Sequence, residues 1–208
     1  MKSTNRRSFA GIVLSALVTL SCMLPGMIPL KSKPTGAMPY MEKDINEVIK
    51  TLNGKDWRYL QALAPEQYTQ EDLSKPGTLT YTVQITDDLP VYFVYGWCTV
   101  DDATLKQNFE HIDVKLYFNG DEIEKDVIQH LTYTTQDNLH CLDFGVLMSE
   151  WPEGEYKLEA VAAFDDTIND GMADYAAGDY VFVYNVTVKK TKEGASAPSS
   201  SVYKTVFH

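Results

Sequence analysis

Trp151-Pro152-Glu153-Gly154-Glu155-Tyr156-Lys157-Leu158-Glu159-Ala160-Val161-Ala162-Ala163-Phe164 is the stretch on which the reading of this chain turns. Pro152 and Gly154 make a turn, and Tyr156, Leu158, Ala160, Ala162 and Phe164 then recur at period two, so a turn feeds a long strand with one buried face. The same alternation appears upstream. Leu79, Tyr81, Val83 and Ile85 alternate with Thr78, Thr80, Thr82 and Gln84, which marks a half-buried strand. Residues 91–100 are apolar on both faces, with Val91, Phe93, Tyr95 and Trp97 on one and Tyr92, Val94, Gly96 and Cys98 on the other. A central strand covered on both sides, or one lying under helices, has that composition. Ile112, Val114, Leu116 and Phe118 alternate with polar neighbours up to Asn119-Gly120, the pair that most favours a two-residue hairpin turn. Further strands are expected over residues 127–135, over 139–148 with Leu142, Phe144, Val146 and Met148 facing in, and over 180–188. Strands and helices do not alternate, so the pattern is that of an all-β fold.

The corner itself, with Gly154 two residues before Tyr156, resembles the corner ahead of the second-last strand in immunoglobulin-like and fibronectin-type-III-like domains. That resemblance implies an immunoglobulin-like antiparallel β-sandwich over residues 78–188. It also implies that the loops 101–110 and 165–177 lie at one end of the sandwich. Sandwiches of this kind host many unrelated activities, so the fold alone names none.

The first thirty residues are of a different kind. Lys2, Arg6 and Arg7 precede a mainly apolar run over residues 9–24, the layout of a bacterial export signal. Asn5-Arg6-Arg7-Ser8-Phe9-Ala10 also resembles a twin-arginine signal. Thr19-Leu20-Ser21-Cys22 resembles the lipobox of bacterial lipoproteins, whose cysteine is lipidated and becomes the new amino terminus; Ser21 fits that pattern, Thr19 and Leu20 depart from it. Three fates are open to the segment: lipidation at Cys22, which is the favoured one, cleavage near Ala37, or retention as an anchor. Residues 9–30 approach the roughly 20 apolar residues that a membrane span needs. An exported protein tethered to the cell envelope through an N-terminal lipid or anchor is the expectation.

Residues 31–77 read as linker followed by short helices. Met41, Ile45, Val48, Ile49 and Leu52 fall at helical spacing with Gly54 as a stop, Asp56 is placed to cap a second turn carrying Trp57 and Leu60, and a further helical piece is expected around residues 66–73. The tail, residues 189–208, is rich in Lys and Ser and reads as disordered apart from residues 202–207.

Charge is unevenly spread. Residues 78–188 hold 4 Lys, no Arg and 21 Asp plus Glu, a balance of −17, whereas residues 31–77 carry 7 of each sign. Such a surface repels phosphate backbones, which excludes nucleic acid as a partner. At 208 residues with 44% hydrophobic content there is enough apolar material for one packed core.

Few constellations carry chemistry. Setting Cys22 aside for lipid leaves Cys98 and Cys141, late in one strand and early in another that would be its antiparallel neighbour; outside the cytoplasm they read either as a disulfide or as two separate buried thiols. Asp165, Asp166, Asn169, Asp170 and Asp174 crowd one loop, and calcium is the cation such oxygens suit, although Asp and Asn also favour loops simply by bonding their own backbone. Asp101 and Asp102 offer a second acidic loop. No other cofactor is implied. The four histidines are scattered, and no nucleophile elbow, zinc-binding helix or phosphate loop occurs. The chain therefore reads as a non-catalytic binding or structural module of the cell envelope, its partner an unknown protein or carbohydrate of the cell surface. The alternatives are a calcium-dependent carbohydrate binder or secreted hydrolase using the acidic loops, and a subunit of a surface assembly.

Overall fold

Alternation of apolar and polar side chains becomes two facing sheets. The computed structural model describes residues 37–191, so the export segment with Cys22 and the tail beyond Thr191 lie outside the described residues. In chain order the elements are β1 (Tyr40–Met41), α1 (Ile45–Leu52), β2 (Arg58–Tyr59), a 3-10 turn (Gln61–Leu63), α2 (Gln70–Leu73), β3 (Gly77–Thr86), β4 (Val91–Thr99), α3 (Asp102–Asn108), β5 (Ile112–Phe118), β6 (Asp121–Glu122), β7 (Gln129–Thr134), β8 (His140–Ser149), β9 (Gly154–Phe164), β10 (Ile168–Asn169), β11 (Asp174–Tyr175) and β12 (Gly178–Lys189).

The larger sheet runs β3-β12-β9-β5-β6. In the smaller one β4 pairs with β8, β2 extends the far side of β4, and β7 and β1 share the far side of β8. Rings from the two sheets meet in one core: Phe93 against Tyr184 with centroids 6.0 Å apart, Trp97 against Phe164 at 5.4 Å. The expected antiparallel pairing holds for most neighbours but not all. β3 lies parallel to β12, and β2 parallel to β4. Both are pairs of strands distant in sequence, on which no hairpin turn imposes an antiparallel course.

The corner at residues 151–156 is built around Tyr156. Its hydroxyl donates to the Pro152 carbonyl four residues back at 2.8 Å, and its ring packs against the buried Trp151 at 5.7 Å. From there Tyr156, Leu158, Ala160, Ala162 and Phe164 are buried in alternation, and β9 pairs with β5 on one side and β12 on the other. Tyr156→Phe removes the hydroxyl bond and leaves the Pro152 carbonyl short of a partner, so it is expected to cost about 1 kcal/mol. Urea unfolding would read this as a lowered midpoint at unchanged slope; an unmoved midpoint would show the bond to be idle.

The hairpin after β5 forms at Asn119 and Gly120, with φ of 52° and 87°, the two left-handed positions that this turn type requires.

The region before the sandwich departs from expectation. Met41 lies in β1, paired with β8, rather than in a helix, and Trp57 and Leu60 flank the short strand β2 rather than occupying a helical turn. The physical reason is the same in both places: the edges of β8 and β4 present unpaired backbone groups, and pairing with them outweighs weak local helical preference. All described residues accordingly belong to one compact unit.

α1 does form. Asp44 caps it by accepting from the Asn46 amide at 2.8 Å, and Trp57 Nε1 donates to the Leu52 carbonyl at 2.9 Å. Its buried residues Val48 and Leu52 pack with Tyr92, Val94, Leu131 and Leu147 on the outer face of the smaller sheet. β4 is thus apolar on both faces because one faces the larger sheet and the other faces α1. β8 pairs along the whole of one side, whereas on the other the two-residue β2 reaches only Val91 and Tyr92 among the described residues.

Candidate functional site

The loops after β4 and β9 come together at one end of the sandwich. Residues 101–110, read as a loop from sequence, contain α3 instead. Asp101 caps it by accepting from the Thr104 amide at 2.8 Å, Asp102 pairs with Lys106 one turn on at 2.6 Å, and Leu105 and Asn108 are its buried residues. The capping aspartate followed by an i,i+4 acid–base pair was the sequence signal for this helix.

The second loop folds into the small hairpin β10–β11 and is tied to the first. Asn108 Nδ2 donates to the Asn169 carbonyl at 3.0 Å, the Val100 amide donates to the Asp170 carbonyl at 3.0 Å, and His111 Nδ1 lies 2.8 Å from Asp165 Oδ1.

At the centre of this hairpin is Asp170, only 4% exposed. One carboxylate oxygen accepts from the amides of Met172 and Ala173, both at 2.7 Å, and the other accepts from the Tyr175 hydroxyl at 3.0 Å. Burial, and after it this hydrogen bond, push the Tyr175 hydroxyl up to about 12, so it stays a donor across the physiological range. Asn169 accepts from the Gly171 amide and donates to Asp174, both at 2.6 Å. Gly171 sits at φ 93°, where a Cβ would stand 2.2 Å from a Val100 methyl, so both conformation and space require glycine.

Of the residues considered for calcium, Asn169, Asp170 and Asp174 therefore share one hairpin, while Asp165 reaches His111 and Asp166 accepts from the Thr167 amide at 2.7 Å. Apart from Asp165, their oxygens accept from the loop's own donors. Among the described residues no three Asp, Glu, His or Cys side chains gather as a metal ion would need.

What this arrangement presents outward is an apolar crest. Met172 is 62% exposed and Val100 41%, joined through Gly171, with exposed carboxylates of Asp101, Asp102, Asp165, Asp166 and Asp174 on the surrounding loops. Sequence reading found the acidic residues but not the crest, because nothing local distinguishes an exposed Met or Val from a buried one.

Cys98 and Cys141 stand directly opposite each other on β4 and β8 and are joined as a disulfide, with Cα atoms 4.1 Å apart. A cavity of about 460 Å³ lies beside them, lined by Asp102, Leu105, Tyr133 and His140 among others. A second, of about 290 Å³, runs along the outer edge of β4 beneath Met172 and is lined by Leu73, Tyr95, Trp97, Tyr175 and Phe182. These residues come from four separate elements, which is why no sequence motif announced it.

No family model matches the chain, and no curated protein does. Among solved structures, PbICP-C, described in complex with falcipain-2, is 10% identical with a TM-score of 0.32, over 56% of this chain and 92% of that one. The cysteine protease inhibitor EhICP2 from Entamoeba histolytica is 8% identical with a TM-score of 0.28, over 65% of this chain and 100% of that one. The solution structure of Amebosin gives 12% and 0.25, over 54% and 96%. Likenesses at these scores do not bear on function.

Proposed function

We propose that this chain is an exported, envelope-tethered module of immunoglobulin-like topology that carries out no chemistry and binds a protein partner through its loop end. Support for the topology comes from the strand order, with β4-β8-β7 opposite β3-β12-β9-β5-β6, the first sandwich strand parallel to the last, and the tyrosine at the corner before β9. A disulfide within the sandwich fits an oxidising compartment, and the export reading rests on the residues preceding those described.

The observation that carries the binding reading is the Val100–Gly171–Met172 crest on a hairpin already locked by Asp170. A tip held rigid before contact loses little entropy on binding, and a methionine adapts its shape to an apolar pocket. The surrounding carboxylates favour a partner with a basic rim, through encounter rate and orientation more than through affinity.

Two measurements test this. A photo-crosslinking amino acid at Met172, in cells carrying the full chain, is expected to give a discrete protein adduct that the same group at Glu153, beyond the opposite end of β9, does not. Equal yields at both positions, or none at either, would remove the loop end as a binding face. For the tether, Cys22→Ser is expected to abolish lipid labelling and release the protein from the membrane fraction; an unlabelled wild-type chain would remove the lipoprotein reading.

A further inference from the structure

We propose that the open edge of β4 is the seat of the chain's own C-terminal segment, residues 202–207, which joins the smaller sheet there as an added strand. The edge is defined by its two ends. The Tyr92 carbonyl accepts from the Leu60 amide at 3.0 Å and the Val100 amide donates to the Asp170 carbonyl at 3.0 Å, both on the side of β4 away from β8. In an extended chain the N–H and C=O of every second residue point the same way. Val94, Gly96 and Cys98 therefore present their backbone groups on that side, and among the described residues β2 pairs there with Val91 and Tyr92 only. Gly96 is exposed and Cys98 half-buried.

Beside this edge lies the 290 Å³ groove, with Tyr95, Trp97, Tyr175 and Phe182 as its aromatic lining and the hairpin β10–β11 and α2 as its banks. A row of unpaired backbone groups next to apolar pockets is the form that strand addition uses: main-chain bonds supply affinity, and alternate side chains fill the pockets.

The occupant follows from where the described chain stops and what comes after it. Thr191 is held in the turn between β3 and β4, its amide and hydroxyl both donating to Asp87 Oδ1 at 2.8 Å. The chain therefore departs from the foot of the strand whose edge is open. Seventeen residues follow. Residues 192–201 are Lys, Glu, Gly, Ala, Ser and Pro, a linker composition, and Val202-Tyr203-Lys204-Thr205-Val206-Phe207 are β-branched or aromatic at every position but Lys204. Tyr203, Thr205 and Phe207 share one face of such a strand, and Val202, Lys204 and Val206 the other. Ten linker residues span up to about 33–36 Å. From Val91 to Gly96 is roughly 17 Å of strand. A tether of this length holds the segment at an effective concentration of order millimolar, which favours the chain's own tail over a neighbour's. Lys204 would bring a positive charge to a region, residues 78–188, whose balance is −17.

Amide hydrogen exchange on the full chain, compared with the full chain carrying Tyr203→Asp and Phe207→Asp, tests the assignment. The Gly96 and Cys98 amides are expected to exchange at least about tenfold faster in the substituted chain, while the Leu158 and Val183 amides inside the larger sheet keep their rates, which shows that the fold is intact. Equal rates at Gly96 and Cys98 in the two chains would overturn the proposal. So would protection that is lost on dilution, since that would place the segment of a second copy on the edge.

Discussion

Asp143→Asn is expected to stabilise the protein at pH 8 by about 2–4 kcal/mol and to flatten its stability between pH 4 and pH 7. Asp143 lies on β8 opposite Gly96, on the face covered by α1, and is 2% exposed. The Tyr133 hydroxyl is 3.4 Å from Oδ1, a long contact, and Oδ2 has no hydrogen-bond partner among the described residues. Burial raises the carboxyl to about 7, with the Tyr133 contact opposing only weakly.

The sign follows from linkage. The folded protein holds this proton more tightly than the unfolded chain does, so the group contributes fully below the ordinary carboxylate value near 4. That contribution is lost as pH rises toward 7, by up to about 4 kcal/mol in all. Tyr92 and Tyr133, themselves pushed up by burial and by the Asp143 charge, stay neutral throughout. Chemical unfolding of both proteins from pH 4 to pH 8 isolates the effect, because all other titrations cancel in the difference. That difference should widen in favour of the variant up to pH 7 and then level off; parallel curves would mean that Asp143 is hydrated or ionised in the fold. Gly96→Ala belongs to the same neighbourhood: an added Cβ would sit within 2.4 Å of Asp143 Oδ1, so the glycine is there to leave room for the carboxylate.

The second large effect is that of the cross-strand disulfide. Cys98 and Cys141 are 43 residues apart, and closing a loop of that size restricts the unfolded chain by about 4 kcal/mol in the chain-entropy account. Replacing both cysteines with Ala is expected to lower the unfolding free energy by about 3–4 kcal/mol, seen as a fall in Tm of about 6–16 °C for an ordered region of this length. Cys141 is buried and Cys98 half-buried, so alanines leave little void and the loss reports mainly the cross-link. A loss under about 1 kcal/mol would mean that the unfolded chain is already compact across that span.

How far the chain can be read from its residues varies with the kind of signal. β9, β3 and β5 were legible because half-buried strands alternate at period two, and that alternation survives whatever packs on them. The turn at Asn119 and Gly120 was legible because only a few residue types tolerate its backbone angles. β2 reads as a helical turn from sequence because Trp57 and Leu60 beside a capping aspartate fit one locally, whereas the side of β4 away from β8 recruits Arg58 and Tyr59 as a strand. α3 reads as loop from sequence because its seven residues follow Asp101 and hold Asp and Asn, which suit a turn equally well.

Within the candidate site, the acidic residues and their common end were accessible from sequence, but their roles were not. Asp170 and Asp143 are the same residue type, yet one is buried with three donors around it and the other is buried with almost none. By itself, the order of residues determined the period of the half-buried strands and the turn at Asn119 and Gly120, since each depends on neighbours along the chain. Only the tertiary structure decided which edge of β4 lacks a full partner strand among the described residues, which carboxylate is buried beside Tyr133 with few donors, and which side chains form the crest. Those depend on elements distant in sequence meeting in space, where burial and unpaired backbone groups outweigh local preference.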